Sequence, residues 1–158
     1  MAYNTFSCRN DIVEKAQKED YEYILFVDGD NILYDSLTLV NLYNTMKNIQ
    51  DACIVSALYK QDAKLISPIL DNHFWTPVPI KMKSFEKIMY DCNFIGFGCI
   101  LIKTSVFDKL KEPYFRWDDP TNKKEGDDLC FVKKVRKAGI TVWCDPSIYV
   151  GHLKQVMI

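Results

Sequence analysis

The chain has 158 residues, 48% hydrophobic and 13% aromatic, enough to fill one packed core, so a single domain over 1–158 is the expectation. With 20 basic and 21 acidic residues the net charge is −1, which excludes a broad basic surface for nucleic acid or anionic membrane. No apolar signal core opens the chain and no stretch reaches the ~20 apolar residues that cross a bilayer, so no transmembrane segment is expected.

In chain order, a short helix is predicted from Asp11 to Lys18, with Ile12, Val13 and Ala16 at helical spacing and Ser7 or Asn10 as N-cap. Tyr23 to Val27 is a nearly continuous apolar strand, which points to burial on both faces and a parallel or central position. Asp28-Gly29-Asp30-Asn31 is the turn that leaves it. Ser36 is expected to cap a second helix, whose apolar Leu37, Leu39, Val40, Tyr43 and Met46 recur at roughly 3.6-residue intervals, and Ala52 to Tyr59 is the next strand. This β-α-β rhythm marks an α/β sheet.

From Gln61 to Asp91 periodicity weakens and Pro68, Pro77 and Pro79 interrupt it, so loops and short strands are expected. Phe94 to Lys103, FIGFGCILIK, reads as a strand whose glycines mark a close approach by a ligand or another backbone. Thr104 starts a short helix to Leu110, and a polar loop from Asp118 to Glu125 leads to a helix over Asp127 to Ala138 closed by Gly139. The strand ITVWCD, Pro146 and an extended piece ending in Val150-Gly151-His152 complete the pattern. Lys133, Lys134, Arg136 and Lys137 read as a solvated helix end. Six cysteines without a Cys-x-x-Cys pair read as free thiols in a reducing compartment, hence a cytoplasmic protein.

Three groups carry candidate chemistry. Asp28 and Asp30 flank one glycine, and two hard oxygen donors on the same side of a turn suit Mg²⁺ or Mn²⁺, although acidic turns are common without a metal. Asp127 and Asp128 open a helix, where backbone N–H groups and the dipole stabilise them; a carboxylate held there is also placed to act as a general base. His152 follows a glycine near the chain end, and as a lone histidine it gains meaning only from other ligands.

Taken in order, "SCRND", "YILFVDGD", "FIGFGCILIKTSVFDKL", "PYFRWDD" and "GDDLCFVKKVRKAGITVWCDPSIYVGHL" resemble the later part of GT-A glycosyltransferases, nearest to the large inverting family 2. The resemblance runs from about Ser7 to Leu153 and implies a partial GT-A-like fold, a mixed sheet flanked by helices. It also implies a hexosyltransferase-like enzyme that inverts. Its donor would be a nucleotide sugar and its acceptor a glycan or other hydroxyl compound. Asp30 would bind the divalent metal that bridges the diphosphate, Asp28 would contact ribose or the metal shell, and His152 would complete the metal site. Asp128 would be the base that deprotonates the acceptor, preceded by Asp127 where the family has Glu. Arg9 would lie near the nucleotide, Gly96 and Gly98 would let the backbone approach sugar or acceptor, and Phe115 and Trp117 would line the acceptor side. Cys130 replaces the family's second Asp.

Relatives carry a nucleotide-binding β-α-β-α-β region ahead of the Asp-x-Asp, whereas only 27 residues precede Asp28 here and one β-α-β unit alone needs ~30. The resemblance therefore implies a chain truncated at its N-terminus relative to the family. Its first strand would offer an exposed sheet edge to another copy or to a completing chain. Two alternatives accompany this reading: a non-catalytic relic of the fold that binds a glycan or partner protein, and a metal-dependent phosphoesterase built on Asp28, Asp30, Asp128 and His152.

Overall fold

A computed structural model of the chain describes residues 5–59, 89–116 and 126–153. Most of the expected loop region between Gln61 and Asp91, the polar loop from Asp118 and the position of Trp117 lie outside the described residues. The elements are α1 (Thr5–Lys18), β1 (Tyr23–Val27), β2 (Asn31–Leu33), α2 (Thr38–Asn48), β3 (Ile54–Tyr59), β4 (Tyr90–Asp91), β5 (Cys99–Lys103), a 3₁₀ helix (Thr104–Lys109), α3 (Asp127–Lys137) and β6 (Trp143–His152).

The strands form one six-stranded mixed sheet in the order β1-β5-β3-β6-β2, with β4 also paired to β6. β5 runs antiparallel to both β1 and β3, and β3 runs parallel to β6. β2 and β4 pair antiparallel with opposite halves of β6, Asn31 facing His152 and Tyr90 facing Cys144. The expected α/β class with a mixed sheet and flanking helices is what the chain forms.

Two cores cover the two faces. Val13 and Ala16 of α1 and Phe131, Val132 and Val135 of α3 pack on Ile24, Phe26, Ile54, Leu58, Ile100 and Ile102. On the opposite face Leu42 and Met46 of α2 pack on Val55, Ala57, Cys99, Leu101, Ile148 and Val150. The alternation of strand side chains divides each strand between these cores. The first core holds a cluster of phenylalanines, with Phe115 and Phe131 stacked at 4.7 Å and Phe97 edge-on to both, at 5.2 Å and 5.3 Å. Such pairs add about 0.5–1.5 kcal/mol each beyond burial.

Several sequence expectations are corrected. Among the described residues β1 ends the sheet and pairs antiparallel with β5, so there it is neither central nor parallel to its neighbour. Its apolar run buries Ile24 and Phe26 on one face and half-buries Tyr23 and Leu25 on the other; two covered faces do not require two paired edges. α1 starts at Thr5, six residues before the expected Asp11, so neither Ser7 nor Asn10 caps it. Ser36 does not cap α2: the Leu37 N–H donates to Asp35 Oδ1 at 2.8 Å, and the Thr38 hydroxyl to the Asp35 carbonyl at 2.6 Å. β5 begins at Cys99, which leaves Gly96 and Gly98 before the strand rather than inside it. β6 is one strand through Pro146, with a register shift opposite Ala57 and Leu58 that absorbs the proline.

The end of α3 is as expected. Gly139 adopts φ +76°, its N–H reaches the Arg136 carbonyl at 3.0 Å and the Ile140 N–H reaches Val135 at 3.1 Å, a Schellman motif that turns the chain toward β6. The basic end of α3 is partly engaged: Arg136 pairs with Asp91 at 2.6 Å and Lys134 donates to the Pro113 carbonyl at 2.6 Å. All six cysteines are free thiols, four of them buried. Among the described residues no helix is long and apolar enough to cross a membrane.

Candidate functional site

The sheet delivers the acids of the Asp-x-Asp and of α3 to one region on the α1/α3 face. Along β1, Ile24 and Phe26 point into that core, and the alternation continues to Asp28 at the strand end. The turn is fixed by backbone: the Asp28 N–H donates to the Gly98 carbonyl at 3.1 Å and the Asn31 N–H to the Asp28 carbonyl at 3.0 Å. The Asn31 amide also donates to the Gly98 carbonyl. The Gly98 carbonyl thus anchors the acidic turn, one residue beyond the paired Val27 and Cys99.

Arg9 organises the site. Its side chain is only 9% exposed, and its guanidinium donates from Nη1 to Asp127 Oδ2 at 2.8 Å and from Nη2 to Asp28 Oδ1 at 3.1 Å. The guanidinium carbon lies 4.7 Å from the centre of the Phe97 ring and 6.0 Å from that of Phe115. A planar cation that forks to two carboxylates while stacked on an aromatic face is a task for arginine and not for lysine. One residue therefore ties α1, the end of β1 and the start of α3. Arg9, expected near a nucleotide, lies beneath the two acids. Asn10 does a parallel job: its amide donates to the Phe6 and Phe115 carbonyls, both at 2.8 Å, and its Oδ1 accepts from the Tyr114 and Phe115 N–H groups at 2.9 Å and 3.1 Å.

The two acids of α3 differ in environment. Asp127 is buried and ion-paired with Arg9. Asp128 is half-buried, with Oδ1 accepting the Leu129 N–H at 2.7 Å. Its carboxylate folds back over Gly126, where a Cβ would lie 2.6 Å from Oδ1. Burial is the main force raising the Asp128 pKa; the Leu129 N–H opposes it, the Asp127 charge adds to it, Arg9 opposes and Asp28 adds. Asp28 is also raised, first by desolvation and against the pull of Arg9. Its side chain is 44% exposed, so solvent screens that ion pair.

Asp30 is exposed, and its carbonyl accepts the Leu153 N–H at 2.7 Å. Together with the pairing of Asn31 with His152, this bond brings the acidic turn beside the end of β6. The position of His152 in the chain is thus adjacent to Asp30, although its side chain is not among those described. Among the described residues no three His, Cys, Asp or Glu side chains gather as metal ligands.

Phe115, expected to line an acceptor, is 0% exposed and is a core residue whose ring stacks on Phe131. Gly96 is buried in the segment leading to β5. Sequence reasoning missed Phe97 and Asn31 as supports of the site. Asn31, a polar residue at the mouth of a short apolar strand, carried a weak signal; Phe97, one aromatic among several, carried none.

No protein-family model matches the chain, and no curated protein matches it. Solved structures do. The crystal structure of A197 from STIV superimposes with a TM-score of 0.65 at 16% identity, covering 96% of this chain and 69% of that one. The crystal structure of GalNAc-T7 with UDP, GalNAc and Mn²⁺ superimposes with a TM-score of 0.66 at 13% identity, covering 97% of this chain but 31% of that one. The chain thus spans about a third of the length of GalNAc-T7, and at these identities the likeness shows a shared fold alone.

Proposed function

We propose that the chain carries the metal- and acceptor-side half of a metal-dependent glycosyltransferase site, acting on a nucleoside diphosphate sugar and an acceptor hydroxyl. The observation that supports it best is the convergence of Asp28 and Asp127 on the buried Arg9, with Asp128 beside them. Four residues from three separate elements meet at the strand ends of a glycosyltransferase-like fold.

In this reading Asp128 is the base. Its raised pKa moves proton affinity toward neutral pH, which suits a group that must take a proton from a hydroxyl, and its ion-paired neighbour Asp127 holds the helix end in place. Arg9 is a positioning residue that acts through Asp28 and Asp127. Asp30 and His152 would supply the oxygen and imidazole donors that Mn²⁺ or Mg²⁺ accepts, and Asp28 stands two residues earlier, directly after β1. When bound there, the cation offsets charge on a departing diphosphate.

A second reading, a protein of this fold that binds a glycan or partner without transfer, is favoured by one observation: Arg9 already neutralises Asp28 and Asp127. Transfer from a nucleotide sugar with Mn²⁺ present, measured for wild type and Asp128→Asn, separates the two. A base acting only in the transition state predicts a rate loss of roughly 10²-fold to 10⁴-fold with donor affinity unchanged. Asp127→Asn should cost less; full activity in Asp128→Asn removes the mechanism, and no metal-dependent donor binding by wild type favours the second reading.

A further inference from the structure

α2 carries apolar residues on both of its faces. Thr38, Leu42 and Met46 are buried beneath the helix, whereas Leu37 at its N-cap, Leu39, Val40 and Tyr43 are 54%, 49%, 48% and 38% exposed. Of the five apolar residues whose spacing marks this helix in the sequence, Met46 alone is buried. A helix that is apolar all round belongs in an interior, and the outer face of this one is uncovered among the described residues. Helical spacing makes the exposed set continuous, since Leu37 and Val40, Val40 and Tyr43, and Leu39 and Tyr43 lie three or four residues apart.

The charges around this face are arranged as well as absent. The stretch from Ser36 to Met46 contains no Asp, Glu, Lys or Arg, in a chain that is 26% charged. Such depletion, with an aromatic residue included, is the composition of an interface core. Opposite charges stand at the two ends: Asp35 before the helix and Lys47 in its last turn, both exposed. The Asp35 carboxylate accepts the Leu37 N–H at 2.8 Å and the Asn41 amide at 3.1 Å, and the Lys47 ammonium lies 5.3 Å from the centre of the Tyr43 ring. Tyr43 is in turn edge-on to Tyr23, with centroids 5.4 Å apart. Both charges and the aromatic ring are therefore held in place on the chain itself.

We propose that the outer face of α2 is a homodimer interface, in which the helices of two copies pack antiparallel about a two-fold axis beside Asn41. The inference does not rest on the transferase reading. Antiparallel packing sets Asp35 of each copy beside Lys47 of the other, whereas a parallel pair would set like charges together. The midpoint of Asp35 and Lys47 and that of Val40 and Tyr43 both fall within a residue of Asn41, so one axis serves the ion pairs and the apolar contact. The four exposed side chains present on the order of 400 Å² of apolar surface per copy. At the usual ~60% apolar share, two copies bury about 1,300 Å² in all, the size of a specific interface.

Sedimentation equilibrium of the full chain over a range of concentrations tests it. Wild type should be a reversible dimer. Val40→Glu sets a carboxylate in the apolar centre and should weaken association about 100-fold, with circular dichroism unchanged because the position is half exposed. Lys47→Glu places like charges together at both ends and should weaken association about tenfold. Adding Asp35→Asn, which keeps an oxygen for the Leu37 N–H, should restore most of that loss. Wild type that stays monomeric at every concentration overturns the proposal. So does a dimer that Val40→Glu leaves intact, as one paired through the edge of β1 would be. Unchanged association in Lys47→Glu overturns the antiparallel register, and with it the case for a second copy.

Discussion

The two faces of the sheet each bury an aspartate, and they satisfy it in different ways. On the α1/α3 face Asp127 is paired with a guanidinium that also holds Asp28 and lies on a phenylalanine ring. On the α2 face Asp145, 7% exposed, accepts the Thr45 hydroxyl at 2.6 Å, the Ser147 N–H at 2.9 Å and the Ser147 hydroxyl at 2.6 Å, all neutral donors. Asp145 is held by Ser147, two residues on, near a bend in β6, and by Thr45 of α2, 100 positions away, and none of these bonds comes from a counter-ion. Asp127 is held by a residue 118 positions away in sequence, so its environment depends on the assembly of three elements. The comparison separates a carboxylate satisfied by neutral donors at a bend in a strand from one held by a buried cation within a cluster of acids.

The sharpest way to break this comparison is to remove the cation. Arg9→Met keeps apolar contact with Phe97 but leaves Asp127 without its counter-ion, and breaking a buried pair in this way costs about 3–5 kcal/mol. The partial exposure of Asp28 places the expected loss near the lower end of that range. Urea unfolding should show a large fall in midpoint, and Arg9→Lys should recover only part of it. A loss no greater than that of a neutral hydrogen bond would show that the cluster is not held by its ion pairs.

Asn10→Ala comes next. It strips partners from the N–H groups of Tyr114 and Phe115 and from the Phe115 carbonyl, so a loss of about 2 kcal/mol is expected from the unmade bonds. Hydrogen exchange at Tyr114 and Phe115 should rise while β3 amides stay protected. On the other face Thr45→Val removes one neutral donor from Asp145, which retains its two bonds from Ser147, and about 1 kcal/mol is expected. The order Arg9, Asn10, Thr45 is the content of the comparison; equal losses in urea unfolding would erase it.

The same contrast explains what was legible in the sequence. The acidic turn, the start of α3 and its glycine stop are local signals, and they fell where their chemistry placed them. The burial of Arg9 was hidden because a pattern reading assigns arginine to solvent, although Arg9, Val13 and Ala16 form one inward stripe at i, i+4 and i+7 of α1. Extending the helix back by that stripe would have found it. The resemblance anticipated an edge for β1, whereas its apolar pattern pointed to a central or parallel place, because apolar continuity reports how many faces are covered and says nothing of which backbone edges are paired. Phe115 was placed on the acceptor side by the resemblance; its burial follows from Asn10, which draws the segment against α1, and no local feature of Pro113 to Trp117 announces that.

The smallest effect concerns Asp128, and its sign is fixed by the direction of its shift. Burial raises its pKa above the ordinary carboxylate value, so between that value and the raised one the folded chain holds a proton that the unfolded chain has released. Stability then falls as pH rises through this window, and levels off above the raised pKa, because the slope follows protons bound in the unfolded state minus those in the native state. Asp28, raised for the same first cause, adds a slope of the same sign. Asp128→Asn has no proton to release, so its stability relative to wild type should rise with pH across the window and hold constant beyond it. Urea midpoints for both proteins from acid to neutral pH measure this difference. A relative stability that instead fell with rising pH would mean that the ionised Asp128 is stabilised by its neighbours, and the environment assigned to the proposed base would be wrong.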